Sequence, residues 1–396
     1  MEPVPAAEIL ARQASLQEGL AAAKIDLALI RQAADLYYYA GVIVDGFLAL
    51  APLAEPILFV RRPRHRFQHE EPPFAVAYYR DLREIPQLLS QFSLGLGGTL
   101  GLELDVMPAA LYRRLQEQLF PKLQVVDISP LIRQQRVIKS DFEISQIRRA
   151  ARLLDEVLIK AADLLREGLT ELELAATLEY HLRLGGHQGL VRTRTWNLEM
   201  FFGHILSGTS GLHPAYVDTP SGGAGFSHGF PQGAGRKPIV AGEPISIDIA
   251  ACVNGYIADS TRMYVIGKLP PQALEVLDLV QHLFAIFTRE AKPGAVPASL
   301  YEHLTAEVKA AGWQDYFMGW GQDRVYFIGH GVGLELDELP VIAPKFNQPL
   351  QRQMVIAFEP KFFLPEVGLV GFEDTGVITP AGVEWLTQSP RRLWEL

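Results

Sequence analysis

The chain has almost no cysteine. A single thiol, Cys252, in 396 residues excludes an intrachain disulfide and fits a reducing compartment. Positive charge is not in excess either. The net charge of −9 removes the electrostatic basis for binding nucleic acid or an anionic membrane. No long apolar run is present. The most apolar early stretch, residues 37 to 60, is cut by Asp45, Pro52, Glu55 and Pro56, so it reads as buried strands and turns, not as a membrane span. The N-terminal M-E-P-V-P-A-A-E has no basic region ahead of an apolar core, and no signal peptide is expected. CxxC pairs, phosphate-cradling loops, Ser-His-Asp patterns and low-complexity tracts are absent too. What remains is 48% hydrophobic and 20% charged, the balance of an ordinary globular protein long enough for two domains. A cytoplasmic enzyme or binding protein is the expectation.

The first part of the chain alternates helix and strand patterns, as an α/β domain does. Residues 6 to 23 read as a helix with Ile9, Leu16 and Leu20 on its apolar stripe. Strands are expected over 25–30, 36–44, 47–50, 56–60, 100–104 and 125–128, with a helix over 107–119. The polar, arginine-rich segment 61–73 reads as an exposed loop, and 94–99 as a glycine-rich approach to a strand. This domain spans 1–134. The second, 135–396, opens on Ser140-Asp141-Phe142-Glu143, a capping box. Thr170-Glu171-Leu172-Glu173 is another. Their helices run to about Gly168 and Gly185. Residues 203–235 form a long glycine- and proline-rich stretch carrying His204, His213 and His228; such a stretch is uncommon in a compact domain unless it serves a site. Helices are expected over 271–292 and 298–311.

The chemistry concentrates in three clusters. In residues 245–266 two strand-like runs flank Asn254-Gly255, the pair best suited to a type I′ turn. A two-residue loop pairs Val253 with Tyr256, Ala250 with Asp259 and Asp248 with Thr261. Asp248 and Asp259 then share a face as diagonal neighbours, about 7–8 Å apart at the backbone. The second cluster is I-G-H-G-V-G-L-E-L-D-E-L-P, where His330 is bracketed by Gly329, Gly331 and Gly333, which permit close backbone approach. In the third, residues 355–379, an odd-membered loop centred on Glu366, with Gly368 available for a left-handed bulge position, sets Glu359 opposite Glu373. Acids facing one another on an apolar sheet repel, and a divalent cation between them reverses the sign. Four carboxylates and one imidazole suit Mn²⁺ or Co²⁺, and also Zn²⁺ or Fe²⁺. They carry enough charge for two ions bridged by a hydroxide.

With these motifs in view, the sequence resembles the pita-bread-fold metallopeptidases, in their creatinase, prolidase and Xaa-Pro aminopeptidase branch. The resemblance rests on D-I-A-A-C-V-N-G-Y-I-A-D-S-T-R, G-H-G-V-G, F-E-P and G-F-E-D-T, on the helix entry R-V-I-K-S-D-F-E-I, and on the early D-L-A-L-I and L-Y-Y-Y-A-G-V. It implies an α+β chain, with a C-terminal pita-bread domain and a smaller N-terminal creatinase-like α/β domain. It implies metal ligands Asp248, Asp259, His330, Glu359 and Glu373, two divalent ions, a short peptide or amino-acid-derived substrate, and a homodimer. Glu359 would bridge the ions and act as general base, and His228, with His213 as alternative, would position substrate. Thr261 and Arg262 would support the ligands. The sequence departs from the family at Asp337, where D-E-L-P stands in place of a histidine motif. An ionised aspartate there would repel an oxyanion and could recognise a cationic substrate. Two rivals to an Xaa-Pro peptidase follow: a related C–N hydrolase or lyase acting on a modified amino acid, and a metal-free pita-bread binding module.

Overall fold

The fold is seen in a computed structural model that describes residues 3–64, 72–95 and 97–396. It comprises two units, Met1–Arg136 and Val137–Leu396. In the first, six strands lie in the order Ala75–Tyr78, Ile57–Arg62, Asp45–Leu50, Leu27–Ile30, Thr99–Leu102 and Gln124–Asp127. The three middle strands of this path that are consecutive in sequence pair antiparallel; the outer pairings are parallel. Leu29, Phe47, Phe59 and Leu100 form the centre of its core.

One expected strand of this unit is a helix. Residues 33–40 wind as Ala33–Ala40, with the Gln32 side chain accepting from the Asp35 N–H at one end and Gly41 at φ 68° closing the other. The tyrosine-rich run favours a strand by propensity, but it lacks strand alternation. The buried ion pair between Asp35 and Arg136, 2.6 Å, fixes the helix from within. The Ala75–Tyr78 strand and Ile85–Gln91 helix were not expected, being too short to carry a clear period. Arg61 and Arg62 continue the Ile57–Arg62 strand; residues 65–71 of the expected loop, and residue 96 of the glycine-rich segment, lie outside the described residues. The 107–119 helix starts at Ala109 and widens into π turns over Arg114–Leu119.

The second unit is built on a sheet whose path runs Glu338–Ile342, Gly329–Gly331, Val355–Phe358, Glu373–Thr379, Tyr256–Val265, Ile245–Val253 and Gly203–Ser207. Both capping boxes form. Ser140 and Glu143 cap the Asp141–Leu164 helix, and Thr170 and Glu173 cap Glu171–Leu184. The longer helix lies on the hairpin, where the Tyr264 hydroxyl donates to the Leu158 carbonyl, 2.6 Å. Helices Pro271–Glu290 and Pro297–Ala310 cover part of the sheet with an apolar core, in which the Phe287 ring stacks on Phe358 at 4.1 Å. The stretch expected to be irregular over 203–235 is not so throughout: Gly203–Ser207 is a buried strand on the sheet. Among the described residues no helix is long and apolar enough to cross a membrane.

Candidate metal centre

The site is assembled by strand register. Asn254 at φ 52° and Gly255 at φ 88° make the tight turn, and the hairpin pairs Val253 with Tyr256, Ala250 with Asp259 and Asp248 with Thr261. Asp248 and Asp259 therefore project from one face. Thr261 in turn pairs with Glu373 on the next strand, and His204 pairs with Asp248 on the other side. The second acid hairpin carries the line further. Phe358 pairs with Asp374, and after a break Lys361 pairs with Gly371. Both pairings belong to one register, which sets Glu359 across from Glu373. His204, Asp248, Thr261, Glu373 and Glu359 thus form one transverse row, with Asp259 and His330 on the adjoining rung. In this hairpin loop Glu366 takes the left-handed region, at φ 64°. Gly368 follows at φ 134°, a backbone that favours glycine, and a Cβ there would come 2.2 Å from the Gly208 carbonyl oxygen.

Asp259, His330 and Glu373 each offer one ligand atom within 4.8 Å of the others. Glu373 Oε1 is buried without a hydrogen-bond partner. Burial, reinforced by the charge on Asp248, holds the Asp259 carboxyl well above its ordinary range. Burial, then the Asp259 charge, does the same to Glu373. An acid pair held this way is relieved by a cation, and two oxygens with one imidazole suit a divalent metal. The remaining acids are already engaged. Lys361, fully buried, places Nζ 2.8 Å from Asp248 Oδ2, 2.7 Å from Glu359 Oε2 and 3.0 Å from Glu373 Oε2. Burial alone would raise the Asp248 carboxyl, but the Lys361 charge brings it down to about 2. Glu359 Oε1 lies 3.5 Å from His330 Nε2.

The supports are side chains too. The Thr261 hydroxyl donates to Glu373 Oε2 at 2.9 Å. Arg262, fully buried, donates to the Thr261 and Glu373 carbonyls and pairs with Asp374 at 2.6 Å. Ser221 donates to Asp248 Oδ2 at 2.9 Å, and its oxygen lies 3.0 Å from His204 Nδ1. A hydroxyl has one proton, so His204 carries its own on Nδ1. Burial keeps this imidazole neutral, with its pKa lowered to about 4. Lys139 pairs with Glu338 at 2.8 Å, and Glu338 accepts the Leu334 and Glu335 N–H groups, fixing the loop after His330.

His228 stands exposed on the turn closed by the Ser227–Phe230 bridge, and His213 is exposed as well. Among the described residues no hydrogen bond ties either to the acids. The histidine joined to the row is His204, whose signal was the short apolar run that follows it. Asp337 is hydrogen-bonded to a neighbouring loop. Its Oδ1 accepts the Arg194 N–H at 2.7 Å, and its Oδ2 accepts the Thr195 N–H and hydroxyl at 2.8 and 2.6 Å. A carboxylate so occupied anchors the 192–195 loop. Lys361 was not singled out in the sequence. Its signal was a lone charge in an apolar run, two positions after Glu359 and so on the same face.

Residues 145–380 match the model of metallopeptidase family M24, and residues 12–138 match the creatinase/prolidase N-terminal domain. The chain belongs to metallopeptidase family M24. It is a peptidase by family, with the pita-bread fold and an N-terminal creatinase-like domain. It is similar to the Xaa-Pro dipeptidase of Pyrococcus furiosus, 28% identical over 93% of this chain and 95% of the relative. A putative dipeptidase of Bacillus subtilis, YkvY, is 28% identical over 68% of this chain and 66% of its own length. Among solved structures, the prolidase from Pyrococcus horikoshii OT3 superposes with a TM-score of 0.79 at 25% identity, covering 96% of this chain and 99% of its own.

Proposed function

We propose that this M24 chain is a metal-dependent peptidase of the Xaa-Pro type, hydrolysing the amide bond of short peptides. The observation that carries the reading is the donor set Asp259, His330 and Glu373 on one face of the sheet. Relatives named as Xaa-Pro dipeptidases support the substrate class. When bound there, a divalent ion, with Mn²⁺ or Co²⁺ suited to the oxygen-rich donors, acidifies water and polarises a carbonyl. Glu359 is the base: Lys361 holds Oε2, and Oε1 is left on the His330 side to take a proton. Ser221 and His204 orient Asp248.

A cavity of about 340 Å³ lies where Trp320, Arg324 and Val325 approach Pro214 and Pro220, with Phe363 in its wall. Phe363 is two positions beyond Lys361 on the same strand, so it shares the face that carries the acids. Phe363, Pro214 and Pro220 offer apolar surface to a residue as compact as proline, beside the polar Asp218, Gln322 and Asp323. A cytoplasmic location agrees with the lone thiol, Cys252, which is buried and raised to about 11. A homodimer, part of the same proposal, is read by light scattering. The metal-free binding module is disfavoured because it would leave the buried Asp259 carboxyl and Glu373 Oε1 with no cation between them. The related C–N hydrolase or lyase rested on Asp337, which serves a loop.

The test is a screen of Xaa-Pro dipeptides and Xaa-Pro-Xaa tripeptides. Cleavage by the Mn²⁺- or Co²⁺-loaded chain, lost on chelation and regained on reloading, is expected. A metal-loaded chain that cleaves neither substrate class overturns the proposal.

A further inference from the structure

We infer that Lys361 occupies the place of a second metal ion, so that this centre binds a single divalent cation, held by Asp259, His330 and Glu373. The inference rests on the metal-dependent reading above and specifies its stoichiometry. Its first support is geometric. An ammonium has three N–H donors, and the Lys361 head meets three carboxylates, on Asp248, Glu359 and Glu373, at 2.7 to 3.0 Å. A second ion bridging those acids would need their oxygens at about 2.0–2.2 Å, and hence the volume that Nζ fills. Asp248 Oδ2, the oxygen turned to Lys361, also accepts from Ser221, and Asp248 stands outside the Asp259, His330 and Glu373 group.

The second support is the way the stem is held. Lys361 is in register with Gly371, and a Cβ on Gly371 would come 2.9 Å from Lys361 Cγ and 2.6 Å from the Pro360 carbonyl oxygen. The missing side chain opposite is the slot in which the stem lies. The Lys361 carbonyl accepts the Met318 N–H at 2.9 Å, and its own N–H donates to Met318 Sδ at 3.3 Å. A lysine seated this way is part of the centre's framework.

Charge gives the third support. The face carries four acids, Asp248, Asp259, Glu359 and Glu373, and one ammonium. One divalent ion leaves a single net negative charge on this set, whereas two ions beside the lysine would leave it positive. Lys361 is a positioning residue on this reading, holding Asp248 and Glu359 where a metal would otherwise gather them.

The experiment counts ions. The full chain is loaded with Mn²⁺, desalted, and assayed by elemental analysis and electron paramagnetic resonance. The expected result is one ion per chain with the resolved hyperfine pattern of an isolated Mn²⁺. Lys361→Ala, checked for folding by near-ultraviolet circular dichroism, should gain a second ion and the broadened signal of an exchange-coupled pair. Two coupled ions in the unaltered chain overturn the inference while leaving the peptidase proposal standing. A folded Lys361→Ala that still binds one ion also overturns it. Failure of both proteins to bind any metal overturns the metal-dependent reading itself. If Lys361→Ala does not fold, the count in the unaltered chain decides.

Discussion

Arg262→Met removes a buried guanidinium while keeping much of its volume. Arg262 is fully buried on the strand that carries Asp259, which pairs with the strand that carries Glu373. It donates to the carbonyls of Thr261, Glu373 and Ser389, to Ser260 Oγ, and to Asp374 Oδ1. Methionine returns none of these bonds. Breaking a buried ion pair by removing one partner costs about 3–5 kcal/mol. Asp374 keeps the Thr387 hydroxyl at 2.6 Å and Arg391 at 3.1 Å, so its charge is not stranded, and the lower end of that range, about 3 kcal/mol, is expected. All five tryptophans, at 196, 313, 320, 385 and 394, lie in the Val137–Leu396 unit. Urea unfolding of the metal-free chain followed by tryptophan fluorescence therefore reports this unit alone, which matters because two units need not unfold together. Mn²⁺ affinity should fall as well, by about tenfold or more, because Glu373 loses the support beneath its backbone. Arg262→Lys, which retains the charge with fewer donors, should fall between. A stability loss below about 1 kcal/mol for Arg262→Met, with metal affinity unchanged, would refute the assignment of Arg262 as the clamp between the ligand strands.

Two further outcomes are expected. Asp337→Ala leaves the Arg194 and Thr195 N–H groups without their acceptor, so limited proteolysis should cut the 192–200 region faster, with a stability loss of about 1–3 kcal/mol. Asp337→His should not raise peptide hydrolysis; a gain would show that the position faces substrate. The third outcome concerns acid stability. His187 and His204 are both lowered to about 4, chiefly by burial. Unfolded, they bind a proton near their ordinary pKa of about 6.5; folded, they do not until about pH 4. The stability they contribute is therefore present above pH 6.5 and lost as pH falls toward 4, by up to about 1.4 kcal/mol per pH unit for each. His187 accepts the Cys252 N–H through Nδ1 at 2.9 Å. His187→Gln should flatten this decline in urea titrations between pH 6.5 and 4, and an undiminished slope would refute the assignment.

Legibility in the sequence follows the range of the interaction. The Asn254-Gly255 turn and both capping boxes are local, satisfied within a few residues, and the hairpin register follows from the turn by counting. The strand over 36–44 is misread because aromatic propensity is weaker than the Gln32 and Gly41 caps and the pairing of Asp35 with Arg136. Spacing along a glycine-rich stretch says nothing of which histidine folds back onto the sheet, and His204 is the one that pairs with Asp248 there. The opposition of Glu359 and Glu373 is readable from loop parity, with Glu366 joining Gly368 at positive φ in the loop.

By itself, the sequence determined which acids share a face, because side chains on a strand alternate and a turn of known length sets the pairing. It also determined the family, through motifs whose residue types serve one chemistry. Only the tertiary structure decided what stands between those acids. Lys361 belongs to one hairpin, Asp248 to another, and Asp337 finds its partners across more than 140 residues of chain. Such contacts depend on the way strands distant in sequence are laid side by side, and no local period encodes that.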